Sequence, residues 1–408
     1  MNSHVSQFRR WSRKSGQALP LFVFFVVVLI LFVGLGIDLG FAYITKANLS
    51  KAVDAASLEG MLAASQGTVT ATAIAKSVFA ANYGRPGRDT GTVTPNVSIT
   101  YDALGHRLVS VSANTTINTF FIRILPVWKT LSVAANAQSQ SRRLIMSLVL
   151  DRSGSMKTDG GDITMPPAVT NFISYFDDVN DYVSMNSFSA WATTDVPIGH
   201  NFKAPITSAT LALDFKGLTV SEQGLTNGLV QNESVAISPG DDVVKVVVFF
   251  TDGLANGFQV TLNCGKKNIS NSNGGNPDVW NPTTGADDSG SCSVPNQIPS
   301  IAGGNINTHN CDDMHDEAER RAIAISKLGR SKGNIFYCIG LGSGKSECGR
   351  PPINPDFLYA VANDPNNPST FDSSQADTAG LAFVANDPTD VQDLFEKIRS
   401  DILLRLTQ

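Results

Sequence analysis

The sequence has few charged residues and no excess of basic ones. Asp, Glu, Lys and Arg make up 16% of the 408 residues, against about 25% in an average soluble domain. The net charge is −5, so the basic surface that nucleic-acid binding requires is not expected, and we exclude nucleic acid as the main partner. Hydrophobic residues make up 42% of the chain, which is enough for a sizeable core, and the length predicts two or three domains.

Cysteine is also scarce, and none of the five cysteines forms a Cys-x-x-Cys pair. This argues against a zinc ribbon and against a thioredoxin-type redox centre. Cys264, Cys292 and Cys311 could pair among themselves or with Cys348, and the sequence leaves the connectivity open; we predict at least one disulfide among them. Cys338 lies in an apolar run, which predicts a buried free thiol. The five histidines have no ligand spacing, and we expect all of them on the surface or in loops.

One long apolar run makes a plain cytosolic protein untenable. Ala18–Ile37 has twenty residues without a charge, and as a helix it would span a hydrocarbon core of about 30 Å. Arg9, Arg10, Arg13 and Lys14 precede the run, and no acid appears before Asp38. This asymmetry predicts a cytoplasmic N-terminus and an extracytoplasmic remainder. A cleaved signal peptide would have a shorter apolar core of about 7–15 residues, so we expect a retained single-pass anchor.

The chain beyond the anchor divides into two parts that differ in their pattern of apolar and polar residues. After a basic tail (1–14) and the transmembrane helix (15–37), residues 38–140 show two helical stretches, a hairpin and a further strand, which predicts a small α+β module. Residues 142–408 alternate near-continuous apolar runs with helical stretches, and this is typical of an α/β domain with a mostly parallel sheet flanked by helices. The runs are Leu144–Leu150, Val243–Phe250 and Asn334–Leu341. Residues 254–311, rich in Asn, Gly and Ser, are predicted to form a surface insertion.

Oxygen-bearing side chains follow two of the predicted buried strands. Asp151, Ser153 and Ser155 come directly after the first, and Asp252 follows the second. Because ligands of open α/β sheets bind beyond the carboxyl ends of the strands, these residues are expected at one edge. Thr219, in a loop before a helix, offers a further hydroxyl. Aspartates can also serve only as helix caps, but the grouping favours a cation site.

The ligand types indicate which cation would bind. Carboxylates and hydroxyls without His or Cys suit Mg²⁺, with Mn²⁺ or Ca²⁺ as alternatives. We expect Ser153, Ser155 and Thr219 as direct ligands, with Asp151 and Asp252 acting partly through water. Ser221 could take the place of Thr219.

These residues carry a resemblance to a known domain family. Asp-x-Ser-Gly-Ser after an apolar strand, Gly217-Leu218-Thr219, and Thr251-Asp252-Gly253 after a later strand resemble the metal-ion-dependent adhesion site (MIDAS) of von Willebrand factor A (VWA) domains. The resemblance covers about residues 142–408, with 254–311 unmatched. It implies a Rossmann-like VWA fold and an open cation site that binds an acidic residue of a partner.

The N-terminal region resembles a second family. Ser15-Gly16-Gln17-Ala18-Leu19-Pro20, the apolar run, Gly36-Ile37-Asp38-Leu39-Gly40 and Asn48–Ala56 resemble the anchor of TadG-like proteins of bacterial Tad (tight adherence) Flp-pilus systems, several of which carry a C-terminal VWA domain. Leu21 stands where the related pseudopilins have the Glu of their processing signal, so prepilin-type cleavage is not expected.

The two resemblances together imply a non-enzymatic, membrane-anchored binding protein. We expect a single-pass protein of the bacterial inner membrane whose VWA domain uses Mg²⁺ to bind an acidic residue on a pilus or envelope component. Two alternatives remain at this point: a structural scaffold with an unused metal site, and a metal-dependent hydrolase. The hydrolase lacks a general base placed by the sequence beside Asp151.

Overall fold

The chain folds into two units, which this computed structural model describes for residues 18–84, 92–124, 128–260, 268–269, 278–280, 296–342 and 348–407. Unit 1 comprises residues 1–60, 72–98 and 109–139, and unit 2 comprises residues 61–71, 99–108 and 140–408. The basic tail, Cys264 and Cys292 lie outside the described residues, so the predictions made for them stay predictions.

Two helices and a three-stranded sheet make up the N-terminal part of the chain. The helices are α1 (Ala18–Leu62) and α2 (Thr68–Asn82), and the sheet has the order β1 (Asn96–Tyr101), β2 (Arg107–Asn118) and β3 (Thr130–Gln140). The predicted hairpin and strand are confirmed, although β2 and β3 are longer than expected. The predicted membrane helix and the helix after it are one continuous element.

The two ends of α1 have opposite environments. Leu49, Ala52 and Val53 are fully buried, so the C-terminal half packs within unit 1. The N-terminal half instead exposes large apolar side chains such as Phe22 and Phe24, and its most apolar window has a mean hydropathy of 3.0 with only 6% of it buried. By length and composition, α1 can cross a membrane.

The remainder of the chain is an α/β domain around a six-stranded sheet. The sheet strands are β4 (Arg143–Asp151), β5 (Tyr182–Phe188), β6 (Ala192–Gly199), β7 (Val243–Thr251), β13 (Asn334–Leu341) and β14 (Ala382–Ala385). Their order in the sheet is β14-β13-β7-β4-β5-β6, with β6 antiparallel to β5 at one edge and the other neighbours parallel. This confirms the predicted mostly parallel, VWA-like fold class.

Helices cover both faces of this sheet. They are α3 (Ser155–Thr158), α4 (Gly161–Ser174), α5 (Lys203–Leu211), α6 (Ser221–Ser234), α7 (Cys311–Ser331), α8 (Pro355–Ala362) and α9 (Val391–Leu406). Along β4, Leu144, Met146 and Leu148 lie in a core with α4, α5 and α9, whereas Val149 packs on the opposite side with residues of α6, α7 and α8. Burial of both faces explains why the strands read as continuous apolar runs.

Residues 254–311, which the sequence predicts to be a surface insertion between a strand and the next helix, lie between β7 and α7. The described part contains the short strands β8 (Gly257–Gln259), β9 (Asn268–Ile269), β10 (Asp278–Trp280), β11 (Gln297–Pro299) and β12 (Asn305–Asn307). Phe258, Ile298 and Ile306 are buried in a small separate core with Met314 and Ala318 of α7. The segment therefore packs on the domain through apolar side chains that are sparse among its polar residues.

The expectation that all histidines lie on the surface or in loops is wrong for His315, which is buried in a helix; His106 does lie in a loop, although it is buried too. His106 lies in the loop between β1 and β2 but is buried, with its ring nitrogens 2.8 Å from Asp102 Oδ2 and 3.0 Å from Asp241 Oδ1. His315 lies in α7 and is fully buried, with Nδ1 2.9 Å from the Ala255 carbonyl oxygen. Asp241 and Ala255 are 135 and 60 positions away from their histidines, so sequence spacing did not reveal these contacts, whereas Asp102 is only four residues before His106.

The cysteine predictions are confirmed where the structure describes them. Cys311 at the start of α7 forms a disulfide with Cys348, which was one of the open possibilities. Cys338 in β13 is a buried free thiol, and burial raises its pKa well above the usual range.

Candidate metal site

The candidate site lies where the order of strands in the sheet reverses. From β4 the chain builds outward to β5 and β6, and it then returns to place β7 on the other side of β4. Leu150 of β4 pairs with Phe250 of β7 in parallel register, so Asp151 and Asp252 leave the sheet side by side. Crevices at such reversal points are where open α/β sheets bind ligands.

Hydrogen bonds fix the carboxylate of Asp151 at the end of β4. Its Oδ1 accepts from the Ser153 backbone N–H at 2.8 Å, and its Oδ2 accepts from the Thr251 hydroxyl at 2.6 Å. Asp151 is fully buried. The first contact turns the chain sharply after the strand, and the second ties this turn to β7, so both strands determine where the carboxylate points.

The carboxylate of Asp252 faces the two serines of the same turn. Its Oδ1 accepts from the Ser155 hydroxyl at 3.0 Å and from the Ser153 hydroxyl at 3.3 Å, and the two hydroxyl oxygens lie 3.0 Å apart. The second oxygen, Oδ2, is buried and has no hydrogen-bond partner. An unsatisfied buried carboxylate oxygen costs free energy, and a cation ligand would remove that cost.

The loop that carries Thr219 joins the same edge. Gly217 has φ +94°, a conformation that favours glycine, and its carbonyl oxygen accepts from the Gly154 N–H at 3.2 Å. A β-carbon placed on Gly253 would lie 3.6 Å from Ser155 Oγ and 3.7 Å from Thr219 Oγ1. The two hydroxyls therefore flank Gly253, and both lie at ordinary van der Waals distance from the position of a β-carbon there.

Ser221, the alternative to Thr219, begins α6. Its hydroxyl is buried without a hydrogen-bond partner, so it too could turn towards a ligand. Thr219 is the better candidate because its hydroxyl shares the space around Gly253 with Ser155. The structure thus brings the five predicted residues to one edge of the sheet.

The electrostatics of the cluster favour a positive charge. Burial raises the pKa of Asp252, and the neighbouring Asp151 raises it further. Burial also raises the pKa of Asp151, against the lowering effect of the hydrogen bonds from Thr251 and Ser153. Two buried carboxyl groups that disfavour simultaneous ionisation are the expected result when like charges share a site. The set of hard oxygen atoms fits Mg²⁺.

Sequence reasoning missed two residues that support this site. Asn256 accepts from the Thr219 N–H through Oδ1 at 2.7 Å, and its own backbone N–H donates to the Thr219 carbonyl oxygen at 3.2 Å. Thr251 orients Asp151 as described above. Thr251 was visible in the Thr-Asp-Gly motif, whereas Asn256 gave no signal because the pairing joins residues 37 positions apart.

Comparison with protein families matches the anchor region. Residues 16–66 match the Tad family, described as "Putative Flp pilus-assembly TadE/G-like". The match covers the whole of α1 and confirms the Tad resemblance predicted for this part of the chain. No curated protein sequence matches the chain significantly.

Comparison with solved structures finds proteins of low sequence identity. The pilus adhesin SpaC from Lactobacillus rhamnosus GG is 15% identical with a TM-score of 0.44, and the match covers 79% of this chain and 36% of SpaC. The PilB minor pilin from Streptococcus sanguinis is 15% identical (TM-score 0.42; coverage 77% and 79%). The vWF domain of the pilus tip protein Mfa5 from Porphyromonas gingivalis is 14% identical (TM-score 0.43; coverage 66% and 97%). Structural similarity with sequence identities and TM-scores this low is not evidence of a shared function.

Proposed function

We propose that this protein is a membrane-anchored, Mg²⁺-dependent protein-binding module that acts in assembly of a Tad-type pilus or in surface attachment. The observation that carries the proposal is the cluster of carboxylate and hydroxyl oxygens at the reversal point of the sheet, with one buried carboxylate oxygen left unsatisfied. The family match of residues 16–66 supports the pilus context.

The proposed ligands divide between direct and indirect contacts. Ser153, Ser155 and Thr219 would bind the cation directly, and Asp151 and Asp252 would act partly through water. When bound, Mg²⁺ would offer a coordination position to an acidic side chain of the partner. The partner is therefore proposed to be a pilus or envelope protein that presents an exposed Asp or Glu.

The surroundings of the two carboxylates favour binding over catalysis. The side chains that contact them are the hydroxyls of Ser153, Ser155 and Thr251, which do not act as general bases at neutral pH without an activating partner. We therefore propose no reaction at this site.

The long apolar helix defines the proposed location. Its exposed half is long enough to cross the bilayer, and the basic residues before it favour a cytoplasmic N-terminus. We propose a single-pass protein of the bacterial inner membrane whose α/β domain lies outside the cytoplasm.

The test replaces Asp151 by Ala in the host bacterium and measures surface pili and attachment at matched protein levels in the membrane. We expect both outputs to fall to the level of a deletion strain, because the cation loses a strand-end carboxylate. Chelation with EDTA should reproduce the defect in wild-type cells, and added Mg²⁺ should reverse it.

Asp393→Ala is the matched control. Asp393 is an exposed aspartate in the first turn of α9 and takes no part in the candidate site, so this variant should keep wild-type output. Wild-type output from the Asp151→Ala strain would contradict the proposal and would favour a structural scaffold with an unused site.

A further inference from the structure

The first charged residue after the apolar run is buried within unit 1. Asp38 is 1% exposed and follows directly on Ala18–Ile37. Twenty residues of helix at 1.5 Å each span about 30 Å, the thickness of a hydrocarbon core. If α1 spans a membrane, as the proposed function requires, Asp38 therefore marks the outer boundary of the apolar layer.

A loop segment of the sheet is attached to α1 at this boundary. The Asp38 carboxylate accepts from three consecutive backbone N–H groups, those of Phe120, Phe121 and Ile122, each at 2.9 Å. These residues follow β2, so the carboxylate holds the start of the β2–β3 connection against the helix. Hydrogen bonds to an ionised acceptor are stronger than those between neutral groups.

The same segment also lies against the apolar part of α1. A β-carbon placed on Gly34 would overlap the side chain of Phe121, so the phenyl ring crosses the helix where glycine leaves room for it. Gly34 precedes the end of the apolar run at Ile37 by three residues, or about 4–5 Å of helix. The ring is thus placed just inside the apolar layer.

Aromatic side chains of this connection face outward. Phe120 is 55% exposed, Trp128 is 50% exposed and Phe121 is 36% exposed. Arg123 and Lys129 lie in the same connection and are exposed as well. Aromatic rings flanked by basic residues are the composition found at the junction of apolar core and headgroups in membrane proteins.

We propose that three described residues between β2 and β3, Phe120, Phe121 and Trp128, form a second membrane contact and insert into the outer interfacial layer of the bilayer that α1 spans. The proposal rests on the membrane anchoring in the proposed function. The occupant of the aromatic surface is lipid, because the carboxylate of Asp38 and the gap at Gly34 fix this surface at the depth where the apolar run ends. The contact would set the depth and rotation of α1.

The test uses full-length protein reconstituted in phosphatidylcholine–phosphatidylglycerol vesicles, with lipids brominated on the acyl chains as quenchers of tryptophan fluorescence. Replacing Trp128 by Phe should remove a component that the brominated lipids quench. Trp191→Phe is the matched control, because Trp191 is an exposed tryptophan of unit 2 and its removal should leave the quenched component unchanged.

A second variant tests the attachment itself. Asp38→Asn keeps the size of the side chain but replaces one acceptor oxygen by an N–H₂ group, so the three N–H donors lose part of their partner. We expect the quenching of Trp128 to decrease while the protein remains in the vesicles. Asp54→Asn, at an exposed position of the same helix, should have no effect.

The outcomes separate this inference from the proposed function. Release of the protein from vesicles by alkaline carbonate would show that α1 does not span the bilayer, and both proposals would fail. If the protein stays in the vesicles but Trp128 is quenched by aqueous iodide rather than by brominated lipid, the proposed lipid contact is wrong and the proposed function is unaffected. The aromatic surface would then be expected to bind a protein.

Discussion

Ser155 and Asp252 are 97 residues apart in the sequence, yet the Ser155 hydroxyl lies 3.0 Å from Asp252 Oδ1. The contact joins the turn after β4 to the end of β7, and it places a hydroxyl beside a buried carboxylate whose other oxygen has no hydrogen-bond partner. Without a cation, this cluster opposes folding through the repulsion between Asp252 and Asp151. The stability of the domain should therefore depend on divalent cations.

We predict that MgCl₂ raises the melting temperature of the detergent-solubilised protein. A cation that binds only the folded state adds about 2.7 kcal/mol to the free energy of unfolding when its concentration is 100 times Kd. Ser155→Ala should reduce the increase, because one direct ligand is lost, whereas Ser400→Ala on the exposed face of α9 should not. Differential scanning fluorimetry in MgCl₂ and in EDTA measures this. A melting temperature that does not respond to millimolar Mg²⁺ would count against the site.

A change at Asp252 should have opposite effects with and without the cation. Asp252→Asn removes one of two like charges, so in EDTA we expect stabilisation on the order of 1 kcal/mol, the equivalent of about one pKa unit. In MgCl₂ the same variant should be less stable than the wild type, because the cation binds the variant more weakly and so stabilises it less. Asp393→Asn should show neither effect. Lower stability than the wild type in EDTA would show that the hydrogen bonds lost by the substitution outweigh the relief of repulsion.

The fold was predictable from sequence where strands are uniformly apolar, and β5 shows where this fails. Ser184, Asn186 and Ser187 are all buried in this strand, so it does not read as an apolar run. The Ser184 hydroxyl pairs with that of Ser147 at 2.8 Å, and Asn186 donates to Ser184 Oγ at 3.1 Å. Buried polar groups are tolerated when they satisfy one another, but Ser147 lies on β4, so its contact with Ser184 is invisible in the local sequence of β5.

The helices also include features that the local sequence does not predict. Proline lacks the N–H of a helix interior, yet α4 begins at Gly161 and contains both Pro166 and Pro167. Helix α8 was missed although Asn354 caps it and Pro355 begins it, which is a recognisable start signal. The candidate site was predictable because Asp151, Ser153, Ser155 and Asp252 lie at or just after the ends of β4 and β7, whereas Thr219 in the loop before α6 was found from its motif.

The disulfide between Cys311 and Cys348 should contribute measurably to stability. It closes a segment of 37 residues, for which the loss of chain entropy in the unfolded state corresponds to roughly 3–4 kcal/mol. We predict that Cys311→Ser/Cys348→Ser lowers the unfolding midpoint in urea. The Cys338→Ser variant is the comparison, because it removes a buried cysteine that takes no part in the disulfide. Alkylation of Cys311 in unreduced, denatured protein, detected by mass spectrometry, would contradict the pairing.

Gly380 is predicted to tolerate no side chain. A β-carbon there would overlap the carbonyl oxygen of Phe336 in β13, and backbone cannot move aside as a flexible side chain can. We expect Gly380→Ala to destabilise unit 2 by roughly 1–3 kcal/mol or more. Gly84→Ala is the control, since nothing lies within 4 Å of a β-carbon at Gly84. Equal melting temperatures for the two variants would show that the segment before β14 adapts.

Asp181 should make the stability of the domain depend on pH. Its Oδ1 accepts from the Leu144 N–H at 3.0 Å and its Oδ2 accepts from the Asp177 N–H at 2.7 Å. Burial raises the pKa of this carboxyl from 3.8 to about 7, against the lowering effect of both hydrogen bonds. Between pH 4 and 7 the folded state therefore keeps a proton that the unfolded state has released. Stability must fall as the pH rises through this window, by at most about 1.4 kcal/mol per pH unit.

Other buried acids, such as Glu319, whose pKa is also raised to about 7, make the free energy of unfolding fall with pH in the same direction. Comparing Asp181→Asn with the wild type isolates the contribution of Asp181, because the variant removes only this titrating group. The variant cannot titrate and loses one of two acceptors, so we expect a loss of about 1–3 kcal/mol at low pH. The difference from the wild type should shrink as the pH approaches 7, because only the wild type is destabilised by ionisation. Urea unfolding of both proteins across the window measures this. A constant difference would mean that Asp181 is ionised in the folded state throughout, with its two N–H donors outweighing burial.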